Sequence, residues 1–361
     1  MLLPLLLFRC FINAIALSDR LSPYMSQGRV AVVTGASRGI GRAIAVQLGT
    51  ENFTVYTLGR SSRKSSSPIP GQRPVAEGLD LTVESAAEEV SRRGGDGHAI
   101  VCDLSKDNEI DRILSEIFAA EGRLDILVCS AFAVPLGTSI RGDFWQQDMD
   151  MWSTLMNVGL RQVYAACRAA APSMIETART TKKAPLICLV SSFGGKSYTF
   201  NVAYGVGKCA VDRLASDMAY QLKKHGVASI SLYPGLVKTE GNLAMVEDGS
   251  WDEASGGLDL SQGESPAFSG KAVVQLTKLN REEILERSGN VEVVAELANE
   301  FGFTDIDGSQ PPSIRSLRYL LPNFVFPQVE KEAGKPIPQW IKNNVPDLLV
   351  PWSVFSSPPP S

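Results

Sequence analysis

The sequence predicts an α/β fold in which a mostly parallel sheet is covered by helices on both faces. From about residue 29 to residue 234, short apolar runs rich in β-branched residues alternate with longer amphipathic stretches, as in repeated βαβ units. The short runs are apolar on both faces, which is typical of strands buried between two layers of helices. A composition of 44% hydrophobic and 20% charged residues is that of an ordinary globular protein.

The alternation predicts six strands and five helices before residue 240, and it weakens after that point. The predicted strands are Val30–Thr34, Thr54–Leu58, His98–Cys102, Leu124–Cys129, Leu186–Val190 and Ala228–Leu232. The predicted helices are Gly39–Leu48, Thr82–Arg93, Lys106–Ala120, Met149–Thr177 and Val202–His225. Beyond residue 240 we expect a helix over Lys271–Leu279 and a last strand at Val291–Val294.

A single domain with a C-terminal extension accounts for most of the chain. We place the domain at residues 28–308, and an arm and tail at 309–361. Residues 1–27 begin with an interrupted apolar run, so they are either a targeting segment or an upstream extension. The Ser-, Pro- and Gly-rich stretch Ser61–Gly71 is expected to be a surface loop inserted after the second strand.

Charge and cysteine content argue against several classes of function. A formal net charge of −4 gives no general electrostatic footprint for nucleic acid. The 6 cysteines form no C-x-x-C pair and no zinc-type spacing, so they are expected to be reduced core thiols. The 2 histidines, His98 and His225, lie in no recognisable motif. No metal site is predicted.

The strongest local signal is a glycine-rich turn between the first strand and the first helix. Residues 34–41 have the pattern T-G-x-x-x-G-I-G, in the strand-to-helix context that a dinucleotide site requires. Gly35 allows the tight turn, Gly39 lets the backbone approach a pyrophosphate, and Gly41 allows close packing of helix on strand. The turn therefore predicts a Rossmann-type doubly wound sheet with a dinucleotide at the helix N-terminus.

This turn and several motifs downstream resemble the short-chain dehydrogenase/reductase family over about residues 28–240. The family's catalytic Y-x-x-x-K is matched by Tyr204 and Lys208, near the start of a long helix. Four residues along a helix bring both side chains to one face, where the lysine charge would lower the tyrosine pKa from about 10 toward working pH. Ser192 matches the serine that polarises the substrate carbonyl, with Ser191 as the rival, and Asn157 matches the asparagine of the proton relay.

The same resemblance implies the residues that contact the cofactor. Those of the glycine-rich turn are Gly35, Ser37, Arg38, Gly39, Ile40 and Gly41. Those elsewhere are Arg60, Asp103, Leu104, Ser130, Tyr204, Lys208, Pro234, Gly235, Val237 and Thr239. One segment departs from the family pattern: Cys129 and Ser130 replace paired asparagines and Phe132 replaces a glycine, which puts in doubt how the sheet is braced and how the cofactor ribose is contacted.

The end of the second strand predicts NADP(H) rather than NAD(H). An NAD enzyme of this fold places an acidic residue about twenty residues past the glycine turn, to bind the ribose 2′-hydroxyl. No acidic residue lies between Glu51 and Glu77, and a carboxylate there would repel a 2′-phosphate. Arg38 and Arg60 are instead placed to bind that phosphate. The predicted reaction is NADPH-dependent reduction of a ketone or aldehyde to an alcohol, or its reverse.

Two other functions stay open. The altered segment at 129–132 allows a nucleotide-binding protein that has lost turnover, although Tyr204, Lys208, Ser192 and Asn157 are intact. The apolar segments Tyr319–Phe326 and Leu348–Phe355 are either a membrane-surface contact or an arm packed on the domain or on a partner subunit. The resemblance implies a homo-oligomer, located in the cytoplasm or on the cytoplasmic face of the endoplasmic reticulum.

Overall fold

The computed structural model describes residues 28–64, 78–135 and 139–356. Within these ranges the chain forms a seven-stranded sheet with the order β3-β2-β1-β4-β5-β6-β7, in which every neighbouring pair is parallel. The predicted Rossmann-type doubly wound fold is confirmed. The predicted extension at 1–27, most of the loop after the second strand and the end of the tail lie outside the described residues.

The strands match their predicted positions closely. Their bounds are β1 Val30–Thr34, β2 Thr54–Gly59, β3 Asp96–Val101, β4 Ile126–Cys129, β5 Leu186–Val190, β6 Ala228–Tyr233 and β7 Val291–Val293. The helices of the main domain are α1 Gly39–Gly49, α2 Val83–Arg92, α3 Asp107–Glu121, α4 Met149–Met156, α5 Gln162–Thr180, α6 Val202–Leu222, α7 Glu240–Glu247, α8 Trp251–Ser255, α9 Pro266–Lys278, α10 Arg281–Arg287 and α11 Val294–Phe301. The C-terminal arm adds α12 Leu317–Leu320, α13 Phe326–Ala333 and α14 Gln339–Asn343.

Two apolar layers enclose the sheet, because alternate strand residues point to opposite faces. On β1, Val30 and Val32 pack in the layer formed with α3, α5 and α6. Ala31 and Val33 pack in the opposite layer, with α1, α2, α9, α10 and α11. The central strands are therefore apolar on both faces, as their sequences indicate.

Strand β3 departs from this expectation. It lies at the edge of the sheet, and its residues are half-buried or exposed, including Val101 with 54% of its surface exposed. An edge strand pairs on one side only and is not fully enclosed by both helical layers. The prediction that this run is buried on both faces is therefore wrong.

The helix predicted over Met149–Thr177 is interrupted. A π-helical turn, Asn157–Arg161, separates α4 from α5. Gly159 in this turn lies against the ring of Phe132, where an added Cβ would stand 3.5 Å from Cδ2. Such π-helical turns concentrate at functional sites, and this one contains the predicted relay residue Asn157.

The C-terminal arm packs on the domain through Trp352, which lies edge-on to Tyr233 with ring centroids 5.8 Å apart. Within the arm, a bridge pairs Ser316 with Leu349. Trp340 and Leu348 stay exposed, at 67% and 61%. The arm therefore both covers the domain and presents apolar side chains outward. Within the described ranges, every helix is too short or too polar to span a bilayer.

Candidate active site

The glycine-rich turn lies at the carboxyl end of β1, where the strand order reverses between β1 and β4. In open α/β sheets the ligand crevice forms at this point. Gly35 has φ +68°, and a Cβ added to it would stand 2.6 Å from the Cα of Ala131. Glycine is therefore required where the turn after β1 meets the segment after β4.

The same turn opens helix α1. A Cβ on Gly41 would stand 2.4 Å from the carbonyl oxygen of Gly35, so the helix packs directly on the turn. The N–H of Gly39 donates to Oε2 of Glu240 over 2.8 Å. Sequence analysis missed Glu240, although it directly follows Thr239. Its position shows that the first N–H groups of α1 attract negative charge, as the binding of a pyrophosphate requires.

Tyr204 and Ser192 are hydrogen-bonded to each other, with 2.7 Å between the hydroxyl oxygens. Tyr204 lies in the first turn of α6, and the N-cap Asn201 accepts a hydrogen bond from its N–H at 2.7 Å. Ser192 follows β5 and accepts a hydrogen bond from the N–H of Gly194 at 3.2 Å. Helix and turn caps thus hold both hydroxyls side by side, where one carbonyl oxygen can reach them.

Ser191, the rival of Ser192, is turned into the protein. It is 3% exposed, and its hydroxyl donates to the carbonyl oxygen of Lys208 over 3.3 Å. Burial raises the pKa of Asp212, and a side-chain hydrogen bond with Ser191 partly opposes that rise. The geometry therefore favours Ser192 as the residue facing a substrate.

Lys208 lies one turn after Tyr204 on α6 and is buried. Its ammonium donates to the carbonyl oxygen of Val190 over 3.1 Å. Burial lowers the pKa of Lys208 to about 8, and the charge of Asp212 partly opposes that change. Burial raises the pKa of Tyr204 to about 12, although the hydrogen bond with Ser192 lowers it in part. The expected lowering of the tyrosine pKa is not what the structure shows, because burial disfavours the charged phenolate.

The fold and these residues agree with what similar proteins show. The short chain dehydrogenase family model matches residues 29–70 and 75–249, which is more than half of the chain. The chain is 39% identical over 303 residues to Dehydrogenase/reductase SDR family member 1 of Mus musculus, covering 82% of this chain and 88% of that protein. The chain belongs to the short-chain dehydrogenase/reductase family. Members of this family are oxidoreductases that bind NAD or NADP.

Two solved structures share the fold. Carveol dehydrogenase from Mycobacterium avium, in complex with NAD, has a TM-score of 0.61 at 21% identity and covers 75% of this chain and 97% of that one. A metagenomic short-chain oxidoreductase in complex with NADP has a TM-score of 0.54 at 26% identity and covers 75% of this chain and 98% of that one. Both cofactors therefore occur among proteins of this fold.

The relay asparagine of the short-chain dehydrogenase/reductase pattern corresponds to Asn157. Its side chain is exposed at the start of the π-helical turn, and in the described part of the chain no hydrogen bond joins it to Lys208. The preceding residue, Met156, lies against Gly207, where a Cβ would be 3.4 Å from the methionine Cε. The end of α4, from which the π-helical turn continues, is therefore packed on α6 next to the lysine.

The segment that departs from the family pattern is well packed. Cys129 is buried in the core, so a thiol fills the place of the first asparagine. The N–H of Ser130 donates to Oγ1 of Thr34 over 3.2 Å, which links the ends of β4 and β1. The ring centroid of Phe132 lies 4.9 Å from Nζ of Lys208, one of the predicted catalytic residues. In place of the family's asparagines, Cys129 and the hydrogen bond from Ser130 to Thr34 brace the middle of the sheet.

The predicted 2′-phosphate residues lie on two turns that touch. The hydroxyls of Ser37 and Ser61 are 3.4 Å apart, and these residues adjoin Arg38 and Arg60. Burial lowers the pKa of Arg38, while the charge of Glu240 opposes that change. The guanidinium of Arg38 therefore lies within the electrostatic range of a carboxylate that sequence analysis did not foresee.

A second unforeseen carboxylate lies close to the end of β2. Glu84, at the start of α2, accepts a hydrogen bond from the hydroxyl of Ser62 over 2.5 Å. It lies beyond Glu77 in the sequence, outside the stretch where an acidic residue of this fold is expected. Glu84 comes close to the end of β2 only in the folded chain, because β2 ends at Gly59 and α2 begins at Val83.

Asp103 and Leu104, two of the predicted cofactor contacts, differ in how available their side chains are to a ligand. One carboxylate oxygen of Asp103 accepts hydrogen bonds from the N–H and hydroxyl of Ser105. Although burial opposes it, these hydrogen bonds and the charges of Arg60 and Lys106 lower the pKa of Asp103. The side chain of Leu104 is 7% exposed and packs in the core, so only its backbone is available to a ligand.

Sequence analysis also missed Glu264, which braces the predicted cofactor loop 234–239. Its N–H donates to the carbonyl oxygen of Leu236 at 2.7 Å, and its own carbonyl accepts from the N–H of Lys238 at 2.8 Å. Its carboxylate accepts from the N–H of Gly235, and burial raises the pKa of Glu264 to about 8. No local signal marks this residue, because it lies in a Gly- and Ser-rich stretch.

The geometry predicts different outcomes for alanine at the two serines. Ser192→Ala should lower kcat/KM about 10²–10³-fold, because it removes one hydrogen-bond donor to the carbonyl oxygen. Ser191→Ala should leave kcat/KM within tenfold and lower the free energy of unfolding by about 1 kcal/mol, through its lost buried hydrogen bond. Steady-state kinetics and urea unfolding measure the two effects. If Ser191→Ala proves the more damaging to turnover, the assignment is reversed.

Proposed function

We propose that this oxidoreductase reduces a ketone or aldehyde to the alcohol with NADPH, or catalyses the reverse reaction, and that Tyr204 is its general acid and base. The observation that carries the proposal is the 2.7 Å hydrogen bond between the hydroxyls of Tyr204 and Ser192, with Lys208 one turn away on α6. These are the positions at which the chain matches the family's catalytic motifs. Two converging hydroxyls are suited to hold a carbonyl oxygen and pass it a proton.

Each residue has a defined part in the reduction. The carbonyl oxygen lies between the two hydroxyls, and Ser192 holds it while Tyr204 donates its proton as negative charge develops. A nicotinamide held by Lys208 and the loop 234–239 would supply the hydride for the carbonyl carbon. With the pKa of Tyr204 raised to about 12, the hydroxyl keeps its proton near neutral pH and is ready to donate it.

Lys208 and Asn157 return the proton to Tyr204. The hydrogen bond from Nζ of Lys208 to the carbonyl oxygen of Val190 fixes the direction of the lysine side chain. Asn157 is open to solvent at the turn packed beside that lysine, where a water can enter the relay.

The chain's own residues fit a dinucleotide. The glycine turn has no space for a Cβ at Gly35 or Gly41, and the N-terminus of α1 already binds a carboxylate. We assign the pyrophosphate to the turn around Ser37, Gly39 and Ile40, and the nicotinamide side to the loop 234–239 together with Lys208.

A preference for NADPH is part of this proposal. Arg38 and Arg60 adjoin two serines whose hydroxyls are 3.4 Å apart, which brings the two arginine positions to neighbouring turns, and we assign both guanidinium groups to one phosphate. The charge of Glu240 acts on Arg38 and reduces the positive potential there, so we expect the preference to need Arg60 as well.

We also propose that the C-terminal arm contacts a membrane surface from the cytoplasmic side. Trp340 and Leu348 are exposed at 67% and 61%, and Lys342, on α14 with Trp340, is paired with Glu330 over 2.7 Å. The exposed apolar side chains therefore carry the proposed interfacial contact.

Tyr204→Phe tests the proposed general acid. The variant keeps the ring and loses only the hydroxyl, so we expect unchanged folding and nucleotide binding, and turnover lowered by about 10²–10⁴-fold. The measurements are kcat with a panel of ketones and the Kd for NADPH from fluorescence titration. Turnover close to that of the wild type would rule out the mechanism, and no turnover in the wild type would favour a nucleotide-binding protein without catalysis.

Arg38→Ala/Arg60→Ala tests the choice of cofactor. Each lost charge-assisted hydrogen bond is worth about 1.5–3 kcal/mol, so the preference for NADPH over NADH should fall by about a hundredfold. The comparison is kcat/KM with both cofactors. Arg63→Ala is the matched control, because its guanidinium is paired with Asp80 and Glu88. Equal use of both cofactors by the wild type would contradict the assignment.

Liposome flotation tests the membrane contact. Trp340→Ala/Leu348→Ala should lower the bound fraction on anionic vesicles several-fold while kcat stays unchanged, because both side chains are on the surface. Point variants are preferred to removal of the arm, since removal would also take away Trp352, which packs on Tyr233. A wild-type protein that does not float with the vesicles would disprove the contact.

A further inference from the structure

Phe132 replaces the family's glycine and touches both predicted catalytic groups of α6. Its ring lies edge-on to the ring of Tyr204, with centroids 5.8 Å apart and planes at 90°. Nζ of Lys208 is 4.9 Å from its centroid, within the range of a cation–π contact. With 41% of its surface exposed, the ring also forms part of the wall of the open site.

Phe200 stands on another flank of Tyr204. Its ring is 5.0 Å from that of Tyr204, with planes at 85°. The backbone of Phe200 has φ +61°, a left-handed conformation that a bulky side chain rarely adopts. The next residue, Asn201, holds it there by donating from Nδ2 to the carbonyl oxygen of Ile140 and by capping α6. Strain of this kind persists where the surroundings over-determine it, and here it places a ring against the reacting tyrosine.

The two phenyl rings restrict what can stand beside the carbonyl. A carbonyl oxygen within hydrogen-bond reach of Tyr204 and Ser192 carries its substituents into the region that Phe132 and Phe200 flank. Phenyl rings offer no hydrogen bond, so a hydroxylated substituent packed against them loses hydration without compensation from the rings. An aryl substituent gains edge-to-face contacts, which form at centroid separations of about 4.5–7 Å.

We infer that Phe132 and Phe200 are specificity-determining residues, and that the substrate is a ketone or aldehyde with an aromatic ring attached to the carbonyl carbon. This inference rests on the proposed carbonyl reduction and names the substrate class of the same site. It also gives the exchange of glycine for phenylalanine at position 132 a function: the ring that fills the space becomes part of the substrate wall.

The test compares two ketones of similar size, acetophenone and cyclohexyl methyl ketone, in wild type, Phe132→Leu and Phe200→Leu. Leucine keeps the apolar character and removes the ring. The ratio of kcat/KM for the two ketones should fall about three- to tenfold in each variant, the range that one edge-to-face contact provides. The two ketones differ in intrinsic reactivity, but this difference is the same for every protein and drops out when the ratio of a variant is compared with that of the wild type. Phe144→Leu, an exposed phenylalanine on the loop before α4, is the matched control and should leave the ratio within twofold.

The Kd for NADPH, from fluorescence titration of the same four proteins, separates the explanations. An unchanged Kd with a lowered ratio supports the inference. A ratio that is unchanged in Phe132→Leu and Phe200→Leu, or that changes as much in Phe144→Leu, overturns it while leaving carbonyl reduction intact. A wild-type protein that binds no nicotinamide nucleotide, or binds it and reduces neither these ketones nor any other carbonyl, overturns the proposed function and the inference with it.

Discussion

The close approach of the turn after β1 to the segment after β4 is the constraint on which the site depends. The backbone of Gly35 lies so near Ala131 that a single methyl group would not fit. Because β1 and β4 are neighbours at the point where strand order reverses, this contact fixes both walls of one crevice. It places the N-terminus of α1 on one wall and Phe132, with its contacts to α6, on the other.

Burial is the largest cause of the pKa shifts of the two predicted catalytic residues, Tyr204 and Lys208. Burial lowers the pKa of Lys208 to about 8 and raises that of Tyr204 to about 12, so each group is shifted toward its neutral form. At neutral pH the lysine is still mostly charged and the tyrosine still protonated. Both therefore hold a proton, which is the state that the proposed reduction consumes.

Carboxylates far apart in sequence hold the loops around this crevice. Glu240 accepts a hydrogen bond from the N–H of Gly39 at the start of α1. Glu264 forms hydrogen bonds with the backbone of the loop 234–239. The C-terminal arm contributes as well, because Trp352 packs on Tyr233, the residue that precedes this loop. Residues outside the recognisable motifs thus position the residues inside them.

The sequence by itself determined the strand positions, the parallel arrangement of the sheet, the glycine turn and the spacing of Tyr204 and Lys208, because these follow from local periodicity and short motifs. Interpretation of the motifs also favoured Ser192 over Ser191, which the geometry supports through the 2.7 Å hydrogen bond to Tyr204. Only the tertiary structure decided the pKa directions, the exposed edge strand β3, the carboxylates Glu84, Glu240 and Glu264, and the place of Phe132. Each of these depends on burial or on a contact between residues distant in the chain, and such contacts leave no periodic trace in the sequence.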